Sequence, residues 1–260
     1  MTLEELHQKQ LSMLECFDKF CRENGLTYFL AYGTLIGAIR HKGFIPWDDD
    51  VDIWMKREDY DRFVSFTKIN ETLRIVTKEN SQGYYHPYSY CNVTDTETIM
   101  DEHITKKETG KGVFLDIFPL DTLPGDYDDA LKYLKRCRRM AQIQSCCVNK
   151  PPKGIKGVIK RVIALCVNWD KMYIDLQNEA RKYQGKKSQY IGVPTFVWNP
   201  AKETLGTKDF ECAVECEFEG KRLLIPVGYD KILTMLYGDY MTPPSVDMQK
   251  GHHMVDYFVK

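Results

Sequence analysis

The chain has 260 residues, of which 43% are hydrophobic, so it can bury a substantial core in one large domain or two small ones. Lys and Arg number 36 against 37 Asp and Glu, and the formal net charge of −1 gives no global attraction to nucleic acid. The first ten residues are polar and charged, and no apolar run approaches the ~20 residues that span a bilayer. We therefore expect a cytoplasmic protein without a nucleic-acid partner.

The nine cysteines follow no repeating spacing, which is typical of free thiols in a reducing compartment. Cys146 with Cys147, and Cys212 with Cys216, leave a zinc site open as an alternative. Neither spacing is a strong ligand pattern. We favour buried thiols for most of these side chains.

The first predicted element is a helix near the N-terminus. Thr2 and Glu5 have the spacing of a capping box, apolar residues then recur at helical intervals, and Gly25 ends the helix. We interpret this helix as a packing element without a chemical role.

Strand and helix patterns then alternate. Residues 27–32 predict a short buried strand, after which Gly33 and Thr34 turn the chain into a brief helix that runs through Arg40. A strand at 51–55 and a helix at 57–69 follow, with further strands at 72–77, 88–93, 97–101 and 113–118. This order predicts a mixed α/β fold.

The second half reads mainly as helix, at 126–147, 154–168, 170–183 and 229–237. From Ala130 to Trp169 there are ten Lys or Arg residues and no Asp or Glu. Within this segment, residues 155–166 form a basic amphipathic pattern. Two interpretations stay open: a helix that faces the core with a solvated basic side, which we favour, or one that lies on an anionic membrane.

Four aspartates fall within five positions, in the sequence DDDVD at 48–52. Because side chains alternate across a strand, Asp50 and Asp52 are expected on one face, joined by Asp48 if the strand begins early enough. Carboxylates that gather in an apolar setting repel one another unless a cation lies between them. Hard oxygen ligands at this spacing favour Mg²⁺ or Mn²⁺.

Other metal and nucleotide motifs do not fit. A calcium loop that starts at Asp48 needs glycine at its sixth position and glutamate at its twelfth, where the chain has Ile53 and Asp59. Neither a P-loop nor a dinucleotide-binding glycine motif occurs. What remains is the Gly33–Thr34 turn, able to approach a phosphate, followed by metal-binding carboxylates, as in phosphoryl- or nucleotidyl-transfer sites.

The string YFLAYGTLIGAIRHKGFIPWDDDVDIWMKREDY (28–60) resembles the signature of the LicD family, bacterial phosphocholine transferases similar in fold to fukutin-type transferases. The segments GVFLDIFPLD (112–121) and LYGDYMTPP (236–244), with Lys250, His252 and His253 beyond, also resemble that family. The resemblance implies a nucleotidyltransferase-like mixed sheet flanked by helices. We expect a catalytic core at 1–125 and a mainly helical elaboration at 126–260 that packs on it, with one continuous domain as the alternative.

The resemblance also implies roles for individual residues. Gly33 and Thr34 take the position of the glycine turn, and Asp50 and Asp52 that of the metal pair. Asp116, a lone carboxylate in the apolar run VFLDIF, is the natural third ligand, although it can instead cap a local turn.

Residues on either side of the aspartates are candidates for binding phosphate. Arg40, His41 and Lys42 place positive charge within reach of diphosphate oxygens, with Arg40 the best of the three, and His252 is a weaker candidate. Asp121 reads as a turn residue after Pro119.

The expected reaction is a metal-dependent transfer of phosphocholine, or a similar phospho-alcohol, from a CDP-activated donor to a hydroxyl of a cell-surface glycan precursor, with release of CMP. Asp48 or Asp52 can accept the hydroxyl proton. A lipid-linked acceptor would bring the protein to the inner membrane face. Three alternatives stay open: a nucleotidyltransferase that uses a nucleoside triphosphate, a glycosyltransferase with a DxD pair, and a phosphosugar-binding scaffold without activity.

Overall fold

A computed structural model describes residues 1–101, 105–249, 251 and 256–260. The helices are α1 (Leu3–Glu23), α2 (Tyr32–Ile36), α3 (Arg57–Phe63), α4 (Tyr127–Val148), α5 (Ile155–Cys166), α6 (Trp169–Ala180) and α7 (Tyr229–Tyr237), and a π-helical turn, Gly37–His41, extends α2. The strands are β1 (Phe29–Leu30), β2 (Asp52–Lys56), β3 (Leu73–Val76), β4 (Cys91–Asp95), β5 (Thr98–Asp101), β6 (Phe114–Thr122), β7 (Tyr190–Gly192), β8 (Leu205–Gly206), β9 (Ala213–Phe218), β10 (Lys221–Pro226) and β11 (Asp256–Val259). The prediction of a mixed α/β fold is confirmed.

A seven-stranded sheet organises the first half of the chain. Its strands run in the order β1-β2-β6-β4-β3, and β7 pairs with the far end of β6 and carries β8. β2 and β6 are parallel and the remaining pairs are antiparallel. The register sets Asp52 of β2 opposite Asp116 of β6, and Asp116 opposite Asn92 of β4. Three polar side chains therefore form one row across the middle of the sheet.

Local sequence signals fix the ends of several elements. The Thr2 hydroxyl accepts from the Glu5 backbone N–H and the Glu5 carboxylate accepts from the Thr2 N–H, so the predicted capping box at the start of α1 is confirmed. The bounds of α7 match the predicted 229–237. Buried residues of both halves, from Leu6 to Tyr257, form the main hydrophobic cluster. The division at residue 125 stays a prediction.

One predicted turn residue lies in a strand. Asp121 is 1% exposed within β6, where both its oxygens accept from Arg57, with Nε–Oδ1 and Nη2–Oδ2 distances of 2.7 Å each. The turn interpretation is wrong because β6 runs on for six residues past Asp116, to Thr122. A bidentate guanidinium compensates the buried carboxylate.

The orientation of α5 is the main departure from expectation. Its apolar side chains face outward, with Ile155 81% and Leu165 86% exposed, and only Gly157 of the helix is buried. The interpretation as a core-facing helix is therefore wrong. Within the described residues, none of the helices combines the length and the apolar character that crossing a bilayer requires.

Candidate functional site

The aspartate loop, Asp48–Asp50, lies just before β2. One carboxylate oxygen from each of the three residues lies within 4.8 Å of those of the other two, an arrangement that can hold a metal ion. The sequence argument missed Asp49 because it assumed strand alternation, whereas β2 begins only at Asp52. In an irregular loop, consecutive carboxylates can converge on one point. No cysteine belongs to a comparable group in the part of the chain that the structure describes.

Asp52 and Asp116 stand beside this loop, at matching positions of the parallel strands. Burial, and then the charges of Asp50, Asp116 and Asp48, hold the pKa of Asp52 well above its usual range. Asp52 is half-buried, and the protein atoms around its carboxylate displace much of the water that would otherwise solvate the charge. The structure thus brings all four predicted carboxylates within electrostatic reach of one another.

A buried polar chain supports Asp116. The Asn92 amide nitrogen donates to the Asp116 carboxylate, and the Asn92 amide oxygen accepts from Lys111 Nζ at 2.5 Å. Lys111 is 1% exposed, and its ammonium lies 5.0 Å from the centre of the Phe114 ring. Sequence reasoning overlooked both residues. Burying a lysine is costly unless it is compensated, so this cation has a structural or chemical task next to the site.

Helix α1 holds the aspartate loop as well as packing on the core. His7 Nε2 donates to the Asp48 carbonyl at 2.7 Å, and Gln10 Nε2 donates to the Asp49 carbonyl at 3.0 Å. The His7 ring stacks on Phe44, with their centres 4.2 Å apart. The interpretation of α1 as packing alone was therefore incomplete, since no local motif shows which backbone a helix will contact.

The predicted glycine turn touches the carboxylates directly. A Cβ at Gly33 would lie 2.6 Å from Asp48 Oδ2, so the missing side chain makes room for that aspartate. The Thr34 hydroxyl accepts from the Asp52 backbone N–H at 2.9 Å and fixes the start of β2. Tyr32, just before the turn, has a φ of 43°, a conformation that costs a bulky residue free energy and is concentrated at functional sites.

The basic residues after α2 face the C-terminal segments. Arg40 donates to the Tyr240 carbonyl at 2.7 Å and to His41 at 2.9 Å, and burial lowers its pKa. Burial and then the charge of Arg40 lower the pKa of His41, whose ring lies edge-on to Trp47. The Lys42 carbonyl accepts from Glu219. Phosphate binding by these three residues stays a prediction.

The C-terminal segment approaches the aspartate loop. A Cβ built on Gly251 would lie 3.1 Å from Asp49 Oδ2. His252, the weaker phosphate-binding candidate, lies outside the described residues.

Two further groups, missed by sequence reasoning, complete the surroundings. Tyr237 is 44% exposed, yet loss of hydration among the surrounding atoms, and then the charges of Asp52 and Asp48, raise its pKa, so its hydroxyl lies within electrostatic reach of both. Tyr237 belongs to the segment LYGDYMTPP, the one signal that could have found it. Burial raises the pKa of Glu203 to about 7, although this carboxylate accepts from the Trp198 and Asn199 N–H groups.

An aromatic cavity of about 360 Å³ lies on the same side of the sheet as the carboxylate row. Tyr90 is two residues before Asn92 and Phe118 two after Asp116, so both follow the row on one face, with ring centres 4.5 Å apart. The cavity is lined by aromatic side chains, Tyr88, Tyr90, Phe196 and Trp198, and by polar side chains that include Arg138, Gln142, Gln144 and Asn149. Two of its lining atoms, Thr195 Oγ1 and Asn149 Oδ1, are buried and find no partner in the described parts of the chain.

Comparison with known proteins gives this geometry a context. The family model described as "LicD/FKTN/FKRP, nucleotidyltransferase domain" matches residues 25–138, which hold the four carboxylates and the glycine turn. A protein of Haemophilus influenzae named lipopolysaccharide cholinephosphotransferase LicD is 31% identical over 265 residues, covering 100% of this chain and 98% of that protein.

More distant relatives match only part of the chain. An uncharacterised protein of Rickettsia prowazekii is 33% identical over 116 residues, covering 44% of this chain and 40% of its own length. Mannosyltransferase regulator 4 of Saccharomyces cerevisiae is 27% identical over 96 residues, 37% of this chain and 8% of that protein.

Proposed function

This chain belongs to the LicD family and is a transferase, and from that premise we propose that it moves phosphocholine from CDP-choline to a hydroxyl group of a surface glycan, releasing CMP. The observation that carries the proposal is the convergence of Asp48, Asp49 and Asp50 beside Asp52. Similarity over the full length to a protein named a lipopolysaccharide cholinephosphotransferase supports choline as the alcohol and a lipopolysaccharide as the acceptor.

We propose that the carboxylates hold Mg²⁺ or Mn²⁺. Their oxygens are hard ligands, and the pKa of Asp52 is raised by loss of hydration and then by the neighbouring carboxylates, whose repulsion a divalent cation would relieve. Asp50 belongs both to the predicted ligand set and to the observed loop cluster, so it is the first candidate ligand. When bound, such a cation would neutralise the diphosphate of the donor and polarise the phosphorus that is attacked.

The residues of the chain then position the reactants. The acceptor hydroxyl oxygen attacks the phosphorus that bears choline, the bond from that phosphorus to the oxygen of CMP breaks, and CMP leaves with the electron pair. Asp48 or Asp52 accepts the proton of the hydroxyl group. The Lys111–Asn92 chain orients Asp116 from behind, and the Thr34 hydroxyl holds the backbone of Asp52.

We propose that the aromatic cavity receives the cytosine base of the donor. Aromatic side chains stack on bases of any kind, and Trp198 is 69% exposed at the rim of the cavity. The Asn149 amide oxygen can accept from the exocyclic amino group of cytosine, and the Thr195 hydroxyl can donate to its carbonyl, which satisfies the two unpartnered atoms. Arg138, which also lines the cavity, would place positive charge near the phosphates of the bound donor.

A phosphorus NMR time course with Mg²⁺ tests the reaction. CDP-choline, CTP and a UDP-sugar are supplied in parallel, each with and without a lipopolysaccharide acceptor. We expect CMP from CDP-choline, faster with acceptor and lost in Asp50→Asn. Pyrophosphate from CTP would indicate a nucleotidyltransferase, UDP from the sugar a glycosyltransferase, and ligand binding without turnover a scaffold. Any of these three results would contradict the proposal.

Binding measurements test the placement of the base. Trp198→Ala should weaken CMP binding about fivefold or more, because base stacking contributes ~1–3 kcal/mol, and should leave phosphocholine binding unchanged. Trp198 is exposed, so we expect the fold to survive this change, and circular dichroism checks it. Weaker phosphocholine binding with unchanged CMP binding would instead assign the cavity to choline.

A further inference from the structure

Helix α5 presents an apolar surface to solvent. Five of its six large aliphatic side chains, which we call the α5 stripe, are more than half exposed, and the sixth, Ile163, is half-buried. The stripe consists of Ile155, Val158, Ile159, Val162 and Leu165. They recur at intervals of three and four residues and so share one side of the helix. Soluble proteins bury such a stripe against the body of the molecule, and here the body lies on the other side, at Gly157.

Basic side chains border the α5 stripe. At about 100° per residue, Arg161 and Lys156 lie on the two sides of the stripe, and Lys160 lies close to the opposite side of the helix. All three are exposed, and no acidic residue occurs between Ala130 and Trp169. The surface around the stripe therefore carries positive charge that no acidic residue of this segment neutralises.

We infer that α5 docks the protein on an anionic lipid bilayer, with the helix axis parallel to the membrane plane. The occupant follows from charge complementarity: an apolar stripe enters the boundary between headgroups and acyl chains, while basic flanks pair with lipid phosphates. A partner protein would also cover apolar side chains, but the uniform positive border favours a surface of dense negative charge. The helix has 12 residues, enough to lie on a membrane but not to cross one.

The inference does not depend on the donor or the reaction. The residues of the α5 stripe and its basic border are separate from the carboxylates and from the cavity, so activity on a water-soluble acceptor should be the same in every variant below. Failure of the vesicle experiment would therefore leave the proposed phosphocholine transfer untouched, and the reverse also holds.

Vesicle sedimentation with the full chain tests the inference. We expect the protein to sediment with phosphatidylglycerol-containing vesicles, to stay in solution with pure phosphatidylcholine, and to be released by high salt. Replacing Lys156, Lys160 and Arg161 together by Gln should reduce partitioning roughly a hundredfold, since each basic residue near an anionic surface contributes about 1 kcal/mol. A matched control changes three exposed lysines elsewhere to Gln, Lys19, Lys68 and Lys187, and should retain most of the binding.

A second pair of variants tests the apolar part. Val162→Ser with Leu165→Ser should reduce partitioning about tenfold or more through the lost transfer free energy of the aliphatic groups. Val246→Ser with Val259→Ser removes equally exposed apolar groups outside α5 and should have no effect. All four positions face solvent, so the fold is expected to survive each change.

Three results would overturn the inference. The first is no sedimentation with anionic vesicles. The second is unchanged binding in the Lys156, Lys160 and Arg161 variant. The third is a concentration-dependent dimer in light scattering that Val162→Ser with Leu165→Ser dissociates while the vesicles bind nothing, which would assign the stripe to a second copy of the chain.

Discussion

Two carboxylates of the same sheet have opposite surroundings. Asp121 of β6 is paired through both oxygens with the buried guanidinium of Arg57. Asp52 of β2 is half-buried among Asp50, Asp116 and Asp48, and loss of hydration followed by these charges raises its pKa. A compensated carboxylate is part of the fold, whereas a carboxylate held beside like charges costs free energy that folding alone does not explain. The first belongs to the scaffold and the second to the candidate site.

The largest expected effect is on the compensated pair. Arg57→Met leaves the Asp121 charge buried without its partner and should lower the free energy of unfolding by about 3–5 kcal/mol. Urea denaturation measures this change. Arg57→Met combined with Asp121→Leu should recover much of the loss, because both charges are then absent. A single variant as stable as the wild type would show that the pair contributes little to the scaffold.

A change at Asp52 should lower activity but not stability, the reverse of the change at Arg57. Asp52→Asn is expected to lower turnover roughly a hundredfold to a thousandfold, as for loss of a transition-state contact. Stability without metal should stay equal or rise, because a repelling charge is removed while the backbone bond to Thr34 is retained. Turnover assays measure the loss of activity, and thermal melts in the presence of a chelator measure the stability without metal. Lost activity together with a much lower melting temperature would place Asp52 in the scaffold instead.

A third carboxylate, Glu203, should make the stability of the fold depend on pH. Burial raises its pKa from 4.5 to about 7, so the folded protein binds this proton more tightly than the unfolded chain. Its contribution to stability is full below pH 4.5 and is lost as the pH rises to about 7. At ~1.4 kcal/mol per pKa unit the loss is about 3–4 kcal/mol. Denaturation of wild type and Glu203→Gln across this range should show a steeper decline in the wild type, and parallel curves would contradict the assignment.

The smallest predicted effect concerns the glycine turn. In Gly33→Ala the new Cβ would lie 2.6 Å from Asp48 Oδ2, so the carboxylate must move, at a cost of about 1–2 kcal/mol and with weaker Mg²⁺ binding. Gly125→Ala is the matched control, since nothing lies within 4 Å of a Cβ there. Calorimetric titration with Mg²⁺ separates the two variants. Equal affinities would show that Asp48 is not needed at its present position.

Sequence patterns predicted much of the fold and part of the site. The strands from β1 to β6 were found in order, whereas β7 to β10 were not predicted, and Asp48, Asp50, Asp52 and Asp116 come together as a group. Asp49 was missed because strand alternation was applied to residues that form a loop. Lys111 and Asn92 were missed because a buried lysine next to a glycine looks like any loop residue until its strand neighbours are known.

The sequence by itself determined the features that arise between residues close together in the chain. These are the capping box at Thr2, the span of α7 and the cluster of carboxylates before β2. Each of these features depends on side chains within a few residues of each other, so the order of residues alone is enough to predict it. Only the tertiary structure decided that Arg57 neutralises Asp121 and that α1 binds the aspartate loop. It also decided that the α5 stripe faces solvent, because periodicity shows that a helix has an apolar side but not what lies opposite it.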